Sequence, residues 1–368
     1  MKEVKYFSMF SGIGGFEYGI QNCYRKNIKR GQETNTKQNL RLSTNNKNLE
    51  ERRVSEQSYS RRERENNTQI KGDFVNGLSN EMEQRRCGQE ESKMETSLPL
   101  SISEPYIGQH PTCVGFSEVD KYATQIYKKH FNHKEYGDVT KINWEEVEDF
   151  DMLVGGFPCQ AFSIAGKRGG FDDTRGTLFF EIARCLKQKQ PRIFLLENVK
   201  GLLSHNKGQT FLTILATLDE LGYDLQWQVL NSKNFGVPQN RERVFIVGHL
   251  RGTSRPEVFP IYGTTKQDKG IVRRQFDISG KGYNSQQDRL YNPEGVMTCL
   301  PNAHPDDKIL LDTPKIRRLT PTECERLQGF PDCWTEGISN SQRYKCLGNA
   351  VTTNVITAIM EKILEVKE

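Results

Sequence analysis

A chain of 368 residues is long enough for an enzyme domain with a smaller lobe beside it. Its 52 Lys and Arg residues exceed its 47 Asp and Glu by 52 − 47 = 5, a balance that suits a polyanionic partner but excludes a histone-like binder. The start of the chain lacks the apolar core of a signal peptide and no stretch is apolar enough to span a membrane, so we expect a soluble, cytoplasmic protein. The nine cysteines include no C-x-x-C pair, which argues against a zinc ribbon or a thioredoxin-like site, and we predict no metal.

Short apolar runs alternate with helical patterns along much of the chain. A predicted strand at Val4–Met9 passes through a glycine turn into a predicted helix at Phe16–Cys23. Further predicted strands are Cys113–Ser117, Met152–Val154, Arg192–Leu196 and Val244–Gly248, and further predicted helices are Asp120–His130 and Gln209–Leu221. This alternation is typical of a parallel, doubly wound sheet, so we predict an α/β fold.

Two polar segments interrupt this pattern. Residues 24–108 are mostly Asn, Gln, Arg, Glu and Ser, and their apolar content is too low to offset the entropy lost on ordering, which predicts a disordered surface insertion. Paired arginines in this segment leave open an arm that binds a partner or the DNA backbone. In residues 251–342 the alternation of strands and helices is lost, which predicts a smaller, irregular lobe. Residues 1–250 and 343–368 are predicted to form the main domain.

The end of the lobe carries a helix signal. Thr320 is a suitable cap, Pro321 fits the first turn, Glu323 can reach back to the cap, and Gly329 ends the helix. The apolar spacing of Val351–Val366 predicts a last helix that packs on the main domain.

A glycine loop, Ser11–Gly15, follows the first predicted strand and lets the backbone approach a ligand. Glu17 stands where a dinucleotide-binding loop has its third glycine, so that kind of site is disfavoured. Glu118 and Asp138 occur at the carboxyl ends of strands in the next strand–helix units, where acids accept hydrogen bonds from ribose hydroxyls. Each acid alone would be taken for a solvated loop residue, but together with the loop they predict a nucleoside-containing cofactor.

A long, basic loop at Gly155–Gly170 contains Cys159 directly after a proline. A cysteine at a strand end, near basic groups and backbone N–H donors, can be held as a thiolate and act as a nucleophile. The alternative is a buried apolar thiol, and we prefer that interpretation for Cys185, Cys324 and Cys346.

Glu197 follows an apolar strand, so burial is expected to raise the pKa of its carboxyl and let it donate or share a proton. Arg241 and Arg243 stand just before another strand, two residues apart, and are expected to point to one side and clamp a phosphate or a substrate oxygen. The alternative is a surface salt bridge to Glu242.

In their order, these motifs resemble the DNA cytosine-5 methyltransferases of bacterial and phage type. The segments that carry the resemblance are Phe10–Gly15, Glu118, Asp138, Pro158-Cys159, Glu197–Val199, Gln239–Arg243, Arg318–Asp332 and Gly348–Val351. The resemblance covers nearly all of the chain outside residues 24–108 and the variable lobe. It implies a Rossmann-like, S-adenosyl-L-methionine-dependent domain beside a target-recognition lobe.

The resemblance also implies the reaction and its residues. A methyl group would pass from S-adenosyl-L-methionine to carbon 5 of a flipped cytosine in a short duplex sequence, through an adduct between Cys159 and carbon 6. Glu197 would contact N3 of the base, and Arg243, with Arg241 a weaker candidate, would hold the base and the Cys159 loop. The implied cofactor residues are Phe10, Gly12, Gly14, Gly15, Glu118, Val119, Asp138, Val139, Pro158, Leu178, Asn349 and Val351. Candidate DNA contacts are Gln160, Ser163, Lys167, Arg168, Gln286, Arg289 and Thr298.

The implied partner is double-stranded DNA, bound by a monomer in a prokaryotic or phage-infected cell. The chain would be the modification enzyme of a restriction–modification system, without a stable complex with the endonuclease, or a phage or solitary methylase. A tRNA cytosine-5 methyltransferase is an alternative that shares the catalytic residues, although Gln160–Ser163 looks like the DNA branch. A DNA-binding protein without turnover is disfavoured because Cys159, Glu197 and Arg243 occur together.

Overall fold

The computed structural model describes residues 4–28, 36, 111–158, 178–263, 290–291, 297–298, 308–310 and 316–364. The chain divides into two units, one formed by Met1–Arg25 with Gly108–Glu368 and the other by Lys26–Ile107. Nearly all of the second unit, and with it most of the predicted insertion at 24–108, lies outside the described residues. The predicted start of the insertion at residue 24 is wrong, because residues 24–28 continue the first helix. All of the described strands lie in the first unit.

The strands, in chain order, are β1 (Lys5–Met9), β2 (Thr112–Ser117), β3 (Met152–Gly156), β4 (Ile193–Val199), β5 (Tyr223–Asn231), β6 (Gln239–Asn240), β7 (Glu242–Leu250), β8 (Leu290–Tyr291), β9 (Met297–Thr298), β10 (Lys308–Leu310) and β11 (Ile316–Arg318). All five strands predicted from apolar runs are confirmed, with ends that differ by a few residues. β5 was not predicted, although its apolar side chains alternate with Asp and Gln in the pattern of a partly buried strand.

A mixed sheet of six strands forms the centre of this unit, in the order β2-β1-β3-β4-β7-β5. Strands β2, β1, β3 and β4 run parallel to one another, as predicted. β7 runs antiparallel to both β4 and β5, so the expectation of a parallel sheet is wrong at this edge. The reason is the connection between β5 and β7: residues 232–241 are too few for the crossover of about a dozen residues that parallel strands need.

The α-helices of the described residues are α1 (residues 15–28), α2 (Lys121–His130), α3 (Leu178–Lys189), α4 (Gln209–Glu220), α5 (Pro321–Leu327), α6 (Asn340–Asn349) and α7 (Thr353–Leu364). The capping box at α5 is confirmed, since Glu323 N donates to Thr320 Oγ1 (3.2 Å) and Thr320 N to Glu323 Oε2 (2.7 Å). Gly329, with φ +78, follows the end of α5 as predicted. α3 was not predicted from the sequence.

Helices cover both faces of the sheet, as a doubly wound fold requires. On one face α3 and α4 pack against side chains such as Phe7, Leu153 and Leu196. On the other face α1 and α7 pack against Tyr6, Val154 and their neighbours. Because adjacent residues such as Tyr6 and Phe7 point to opposite faces, the strands are buried on both sides and their sequences are apolar throughout.

A third apolar cluster joins the last part of the predicted lobe to the first strand–helix units. Leu319, Leu327 and Trp334 pack there with Ile13, Phe116 and Tyr127. Trp334 Nε1 donates to the Ile13 carbonyl (3.0 Å). Residues 319–334 therefore contact the main domain directly, and the domain boundaries remain a prediction.

Short strands occur in the remainder of the predicted lobe. β11, β10 and β8 form a small sheet, and β6 pairs in parallel with β9. Most of residues 264–315 lie outside the described residues. Across the parts of the chain that are described, no helix is both long and apolar enough to cross a membrane.

Candidate active site

The carboxyl ends of the four parallel strands meet along one edge of the sheet. β1 continues into the glycine loop, β2 into Glu118, β3 into Phe157 and Pro158, and β4 carries Glu197 near its end. β2 lies beside β1 on one side and β3 lies beside it on the other. The loops that follow β1 and β3 therefore lead away in opposite directions and leave a crevice between them. Ligands of doubly wound sheets bind at such a switch point.

The glycine loop is held to β2 and has left-handed backbone at alternate positions. Ser11 N donates to the Ser117 carbonyl (3.1 Å), and φ is +54 at Phe10, +57 at Gly12 and +84 at Gly14. A Cβ atom added at Gly12 would have no heavy atom within 4 Å beyond its neighbours, so this position faces open space. Gly12 therefore offers bare backbone to a ligand in the crevice.

The other two glycines of the loop are surrounded by protein. A Cβ at Gly14 would overlap the ring of Phe131, and one at Gly15 would lie 2.7 Å from Cγ1 of Val351. The structure thus brings together Gly15 and Val351, both predicted to line the cofactor site. Packing explains the absence of a side chain at Gly15, and packing together with the left-handed backbone explains it at Gly14.

Glu118 is fixed by backbone donors around the loop. Its carboxylate accepts from Gly12 N (2.7 Å), Val119 N (2.9 Å) and Asp120 N (2.8 Å). A carboxylate has about four lone-pair sites, so three bonds leave capacity for a further donor such as a hydroxyl. The adjacent Val119 side chain is 74% exposed, an apolar surface beside that acceptor.

Asp138 lies at the same edge. Residues 134–136 extend the sheet beyond β2 through a parallel bridge between Phe116 and Glu135, and Asp138 follows it. Its Oδ1 accepts from Thr140 N (3.0 Å) and Thr140 Oγ1 (2.8 Å), and the backbone bond to Thr140 lowers the pKa of Asp138. Open space at Gly12, two fixed acceptors and an exposed apolar side chain fit a nucleoside-bearing ligand such as S-adenosyl-L-methionine.

The remaining predicted cofactor residues differ in exposure. Pro158 and Asn349 are exposed, Phe10 and Leu178 are half-buried, and Val139 is buried in the core. Leu178 begins α3, and Asn349 ends α6. Val139 belongs to the core cluster on one face of the sheet, and Phe10 and Leu178 pack against that cluster.

Glu197 and Arg243 form a buried ion pair at the end of β4. Arg243 Nε lies 3.0 Å from Glu197 Oε1, and the two side chains are only 14% and 12% exposed. Burial raises the pKa of the Glu197 carboxyl, as predicted, while the charges of Arg243 and Arg241 oppose that shift. A Cβ at Gly156 would lie 3.1 Å from Glu197 Oε2, so the glycine leaves room for the carboxyl group.

Arg241 and Arg243 bind different groups, contrary to the expected joint clamp. Arg241 is 2% exposed, and its Nη2 donates to the carbonyls of Gly348 (3.1 Å) and Ala350 (2.7 Å). Arg241 precedes β7 and lies in the link from β6, so strand alternation does not align it with Arg243. The alternative salt bridge to Glu242 is also wrong, because Glu242 pairs with Lys200 (2.9 Å).

Asn198 follows Glu197 in β4, and the sequence alone predicted no separate role for it. It is 2% exposed, its Nδ2 donates to the Phe157 carbonyl (2.9 Å), and its Oδ1 accepts from Val199 N (2.8 Å). It therefore fixes the backbone just before Pro158-Cys159. The sequence signal that could have indicated this role is an amide residue directly after the acid, near the end of an apolar strand.

Cys159 and most of the candidate DNA contacts lie outside the described residues: Gln160, Ser163, Lys167, Arg168, Gln286 and Arg289. Thr298 lies in β9, but only its backbone is described. The prediction of buried thiols at Cys185, Cys324 and Cys346 is confirmed. Burial raises the pKa of Cys346 to about 12 and also raises the pKa of Cys185, so neither is suited to act as a thiolate.

Comparisons with known proteins identify the family of this chain. The family model for C-5 cytosine-specific DNA methylases matches residues 101–298 and 272–365. The chain is 44% identical over 303 residues to the Type II methyltransferase M1.ScrFI of Lactococcus lactis subsp. cremoris, covering 74% of this chain and 78% of that protein. It is 35% identical over 287 residues to the Type II methyltransferase M.HhaI of Haemophilus parahaemolyticus, covering 68% of this chain and 87% of that protein.

A solved structure supports the fold. The S. pombe Dnmt2 methyltransferase superposes with a TM-score of 0.58 at 15% sequence identity, covering 99% of both chains. The chain therefore belongs to the C-5 cytosine-specific DNA methylases and is an enzyme that uses S-adenosyl-L-methionine to methylate carbon 5 of cytosine in double-stranded DNA.

Proposed function

We propose that this methyl transfer uses Cys159 as nucleophile and the Glu197–Arg243 pair to polarise the cytosine ring. The observation that carries the proposal is the buried pair itself, with Nε and Oε1 3.0 Å apart at the carboxyl edge of the sheet. Asn198, the next residue in β4, holds the Phe157 carbonyl (2.9 Å), so the loop that contains Cys159 begins beside this pair.

Carbon 5 of cytosine is a weak nucleophile until the ring is activated. Addition of the Cys159 thiolate to carbon 6 forms a C–S bond and makes carbon 5 enamine-like. Glu197, whose pKa is raised by burial, hydrogen-bonds or protonates N3 and relieves the charge that develops on the ring. When bound, S-adenosyl-L-methionine supplies an electrophilic sulfonium methyl group. Once carbon 5 carries the methyl group, a base, such as water, takes the carbon 5 proton, and the C–S bond to Cys159 breaks.

Arg243 supports Glu197 in two ways. Its Nε orients the carboxyl group, and its Nη1 donates to the Glu242 carbonyl (2.8 Å), which fixes the guanidinium on the strand. Its positive charge also opposes the rise in the pKa of Glu197 that burial causes. We assign Arg243 to holding the base and Glu197 together.

A cytosine stacked in a duplex cannot reach a crevice at the edge of the sheet, so the base must be flipped out of the helix. We assign Gln160, Ser163, Lys167 and Arg168 to contacts with the DNA around the flipped base, and Gln286, Arg289 and Thr298 to reading of the sequence. The cofactor would lie over Gly12, beside Glu118, Val119 and Asp138.

We further propose that the chain is the modification enzyme of a restriction–modification system, working as a cytoplasmic monomer without a stable complex with the endonuclease. The Type II methyltransferases to which it is 35–44% identical support this role. A modification enzyme of this kind methylates one short sequence wherever it occurs.

The test is expression of the chain in a host without cytosine methylation, followed by bisulfite sequencing of plasmid DNA. We expect 5-methylcytosine at one short sequence with the native chain and none with Cys159→Ser. Binding of S-adenosyl-L-homocysteine, measured by calorimetry, serves as the control for folding and should be equal in both. Methylation by Cys159→Ser, or its absence with native protein that binds this ligand, would contradict the proposal.

A further inference from the structure

Arg241 is a buried arginine that the proposed chemistry does not use. Only 2% of its surface is exposed, and its Nη2 donates to two backbone carbonyls, those of Gly348 (3.1 Å) and Ala350 (2.7 Å). Both lie at the carboxyl end of α6, where the last carbonyls of a helix have no partner within it and the dipole is negative. A guanidinium supplies both the hydrogen-bond donors for these carbonyls and a positive charge at the negative end of the helix dipole.

The two carbonyls flank Asn349, which is exposed and is assigned to the cofactor site. The next residue but one after Asn349, Val351, packs on the glycine loop: its Cγ1 and carbonyl oxygen lie 2.7 and 3.1 Å from the position of a Cβ on Gly15. The Arg241 side chain therefore fixes the backbone on both sides of Asn349, next to the segment that touches the cofactor loop.

The backbone of Arg241 is tied to the same region. Its carbonyl accepts from Ser232 N (3.0 Å), Ser232 Oγ is 2.8 Å from Thr352 Oγ1, and Thr352 Oγ1 donates to Gln328 Oε1 (2.9 Å). Ser232, Thr352 and Gln328 are all buried. Side chain and main chain of one residue thus anchor residues 348–352 from two directions.

We propose that Arg241 is a positioning residue that holds Asn349 and Val351 in place for the cofactor. The inference rests on the proposed function, which assigns these two residues to the cofactor site. A planar guanidinium can donate to two carbonyls from a fixed geometry, whereas the ammonium of lysine is a single point charge on a flexible stem. The arginine is therefore expected to be better than lysine, and lysine better than an apolar side chain.

The test compares Arg241→Met and Arg241→Lys with Arg326→Met, which removes an arginine that is 63% exposed and paired with Asp332. Calorimetry with S-adenosyl-L-homocysteine should give a dissociation constant at least about tenfold higher for Arg241→Met, an intermediate value for Arg241→Lys and the native value for Arg326→Met. The KM for S-adenosyl-L-methionine should rise in parallel. In Arg241→Lys, which keeps the positive charge that acts on Glu197, kcat at saturating cofactor should change by less than about threefold.

A double-mutant cycle separates positioning from a general loss of stability. Asn349→Ala should weaken binding in the native chain but much less in Arg241→Lys, because Asn349 is already displaced there. Native-like affinity in both Arg241 variants, a fall in kcat with unchanged affinity, or additive effects in the cycle would overturn the inference. If Arg241→Met does not fold, the result with Arg241→Lys decides. A native chain that fails to bind the ligand would count against the proposed function instead.

Discussion

Two buried carboxyl groups near the crevice have raised pKa values but different surroundings. Glu197 has an arginine partner at 3.0 Å and lies at the edge where substrate would enter. Glu17 is fully buried behind the glycine loop, where Tyr127 OH donates to its Oε1 (3.0 Å) and burial raises its pKa to about 7. Only the first is paired with a cation and faces the crevice, so we expect catalysis to depend on Glu197 and folding stability to depend on Glu17.

Replacing Glu197 with Gln should lower kcat by about 10²- to 10⁴-fold, because the amide keeps the shape but cannot share a proton with N3 of the base. Affinity for S-adenosyl-L-homocysteine should not change. The measurement is methyl transfer to plasmid DNA at saturating cofactor. Glu242→Gln, which alters a neighbouring carboxylate paired with Lys200 at 2.9 Å, is the matched control and should keep native activity. Equal losses in the two variants would refute the role of Glu197.

Replacing Glu17 with Gln should change how stability depends on pH. In the unfolded chain this carboxyl ionises near 4.5, whereas in the folded protein it holds its proton to about 7. Between these values the folded state binds more protons, so stability falls as pH rises, by at most about 3 kcal/mol, and the loss is complete above pH 7. Glu17→Gln removes this slope.

The measurement is urea denaturation of the native chain, Glu17→Gln and the exposed-site control Glu220→Gln at pH 5, 6, 7 and 8. The native chain and the control should lose stability in parallel as pH rises, and Glu17→Gln should lose much less. Three parallel curves would show that Glu17 does not titrate in this range.

At the scale of elements, the sequence predicted what local patterns determine. The strands around the crevice are apolar runs, and the cap of α5 is formed by Thr320 and Glu323, three positions apart. The strands and the cap were therefore both predicted from the sequence. β5 is the exception, because its alternating pattern was a strand signal that the search for apolar runs did not use. The reversed direction of β7 depends on the length of a connection. The partners of Arg241 lie more than 100 residues away in the chain, and only the fold identifies them.

The packing of α1 on α7 depends on a glycine. A Cβ at Gly19 would lie 2.6 Å from Cβ of Ile356 and 2.9 Å from the Thr353 carbonyl oxygen, and both belong to α7. Gly19→Ala should therefore destabilise the protein by about 1–3 kcal/mol, since the two helices must move apart. Gly201→Ala is the matched control, because its Cβ would meet only Val199 at 4.0 Å. Chemical denaturation measures both, and equal stabilities would contradict the packing argument.

At the scale of the whole molecule, the crevice is assembled from parts that are distant in the chain. The glycine loop comes from residues near the start, Glu118 follows β2, the Glu197–Arg243 pair joins β4 to β7, and Asn349 comes from α6. All of them belong to the unit formed by Met1–Arg25 and Gly108–Glu368. The segment between these two stretches contributes none of the residues assigned to the cofactor or to catalysis.

Deleting residues 29–104 and joining the ends through a short Gly/Ser linker should therefore leave cofactor binding within about threefold of the native value. The elements on either side are held without the segment, because α1 packs on α7 and β2 pairs with β1 from Thr112 onward. Calorimetry with S-adenosyl-L-homocysteine and bisulfite mapping of plasmid DNA measure the two functions separately. Loss of cofactor binding by folded protein would refute the prediction that this segment is a dispensable insertion. Loss of methylation with cofactor binding kept would instead favour an arm that contacts DNA, since only DNA engagement would then depend on its paired arginines.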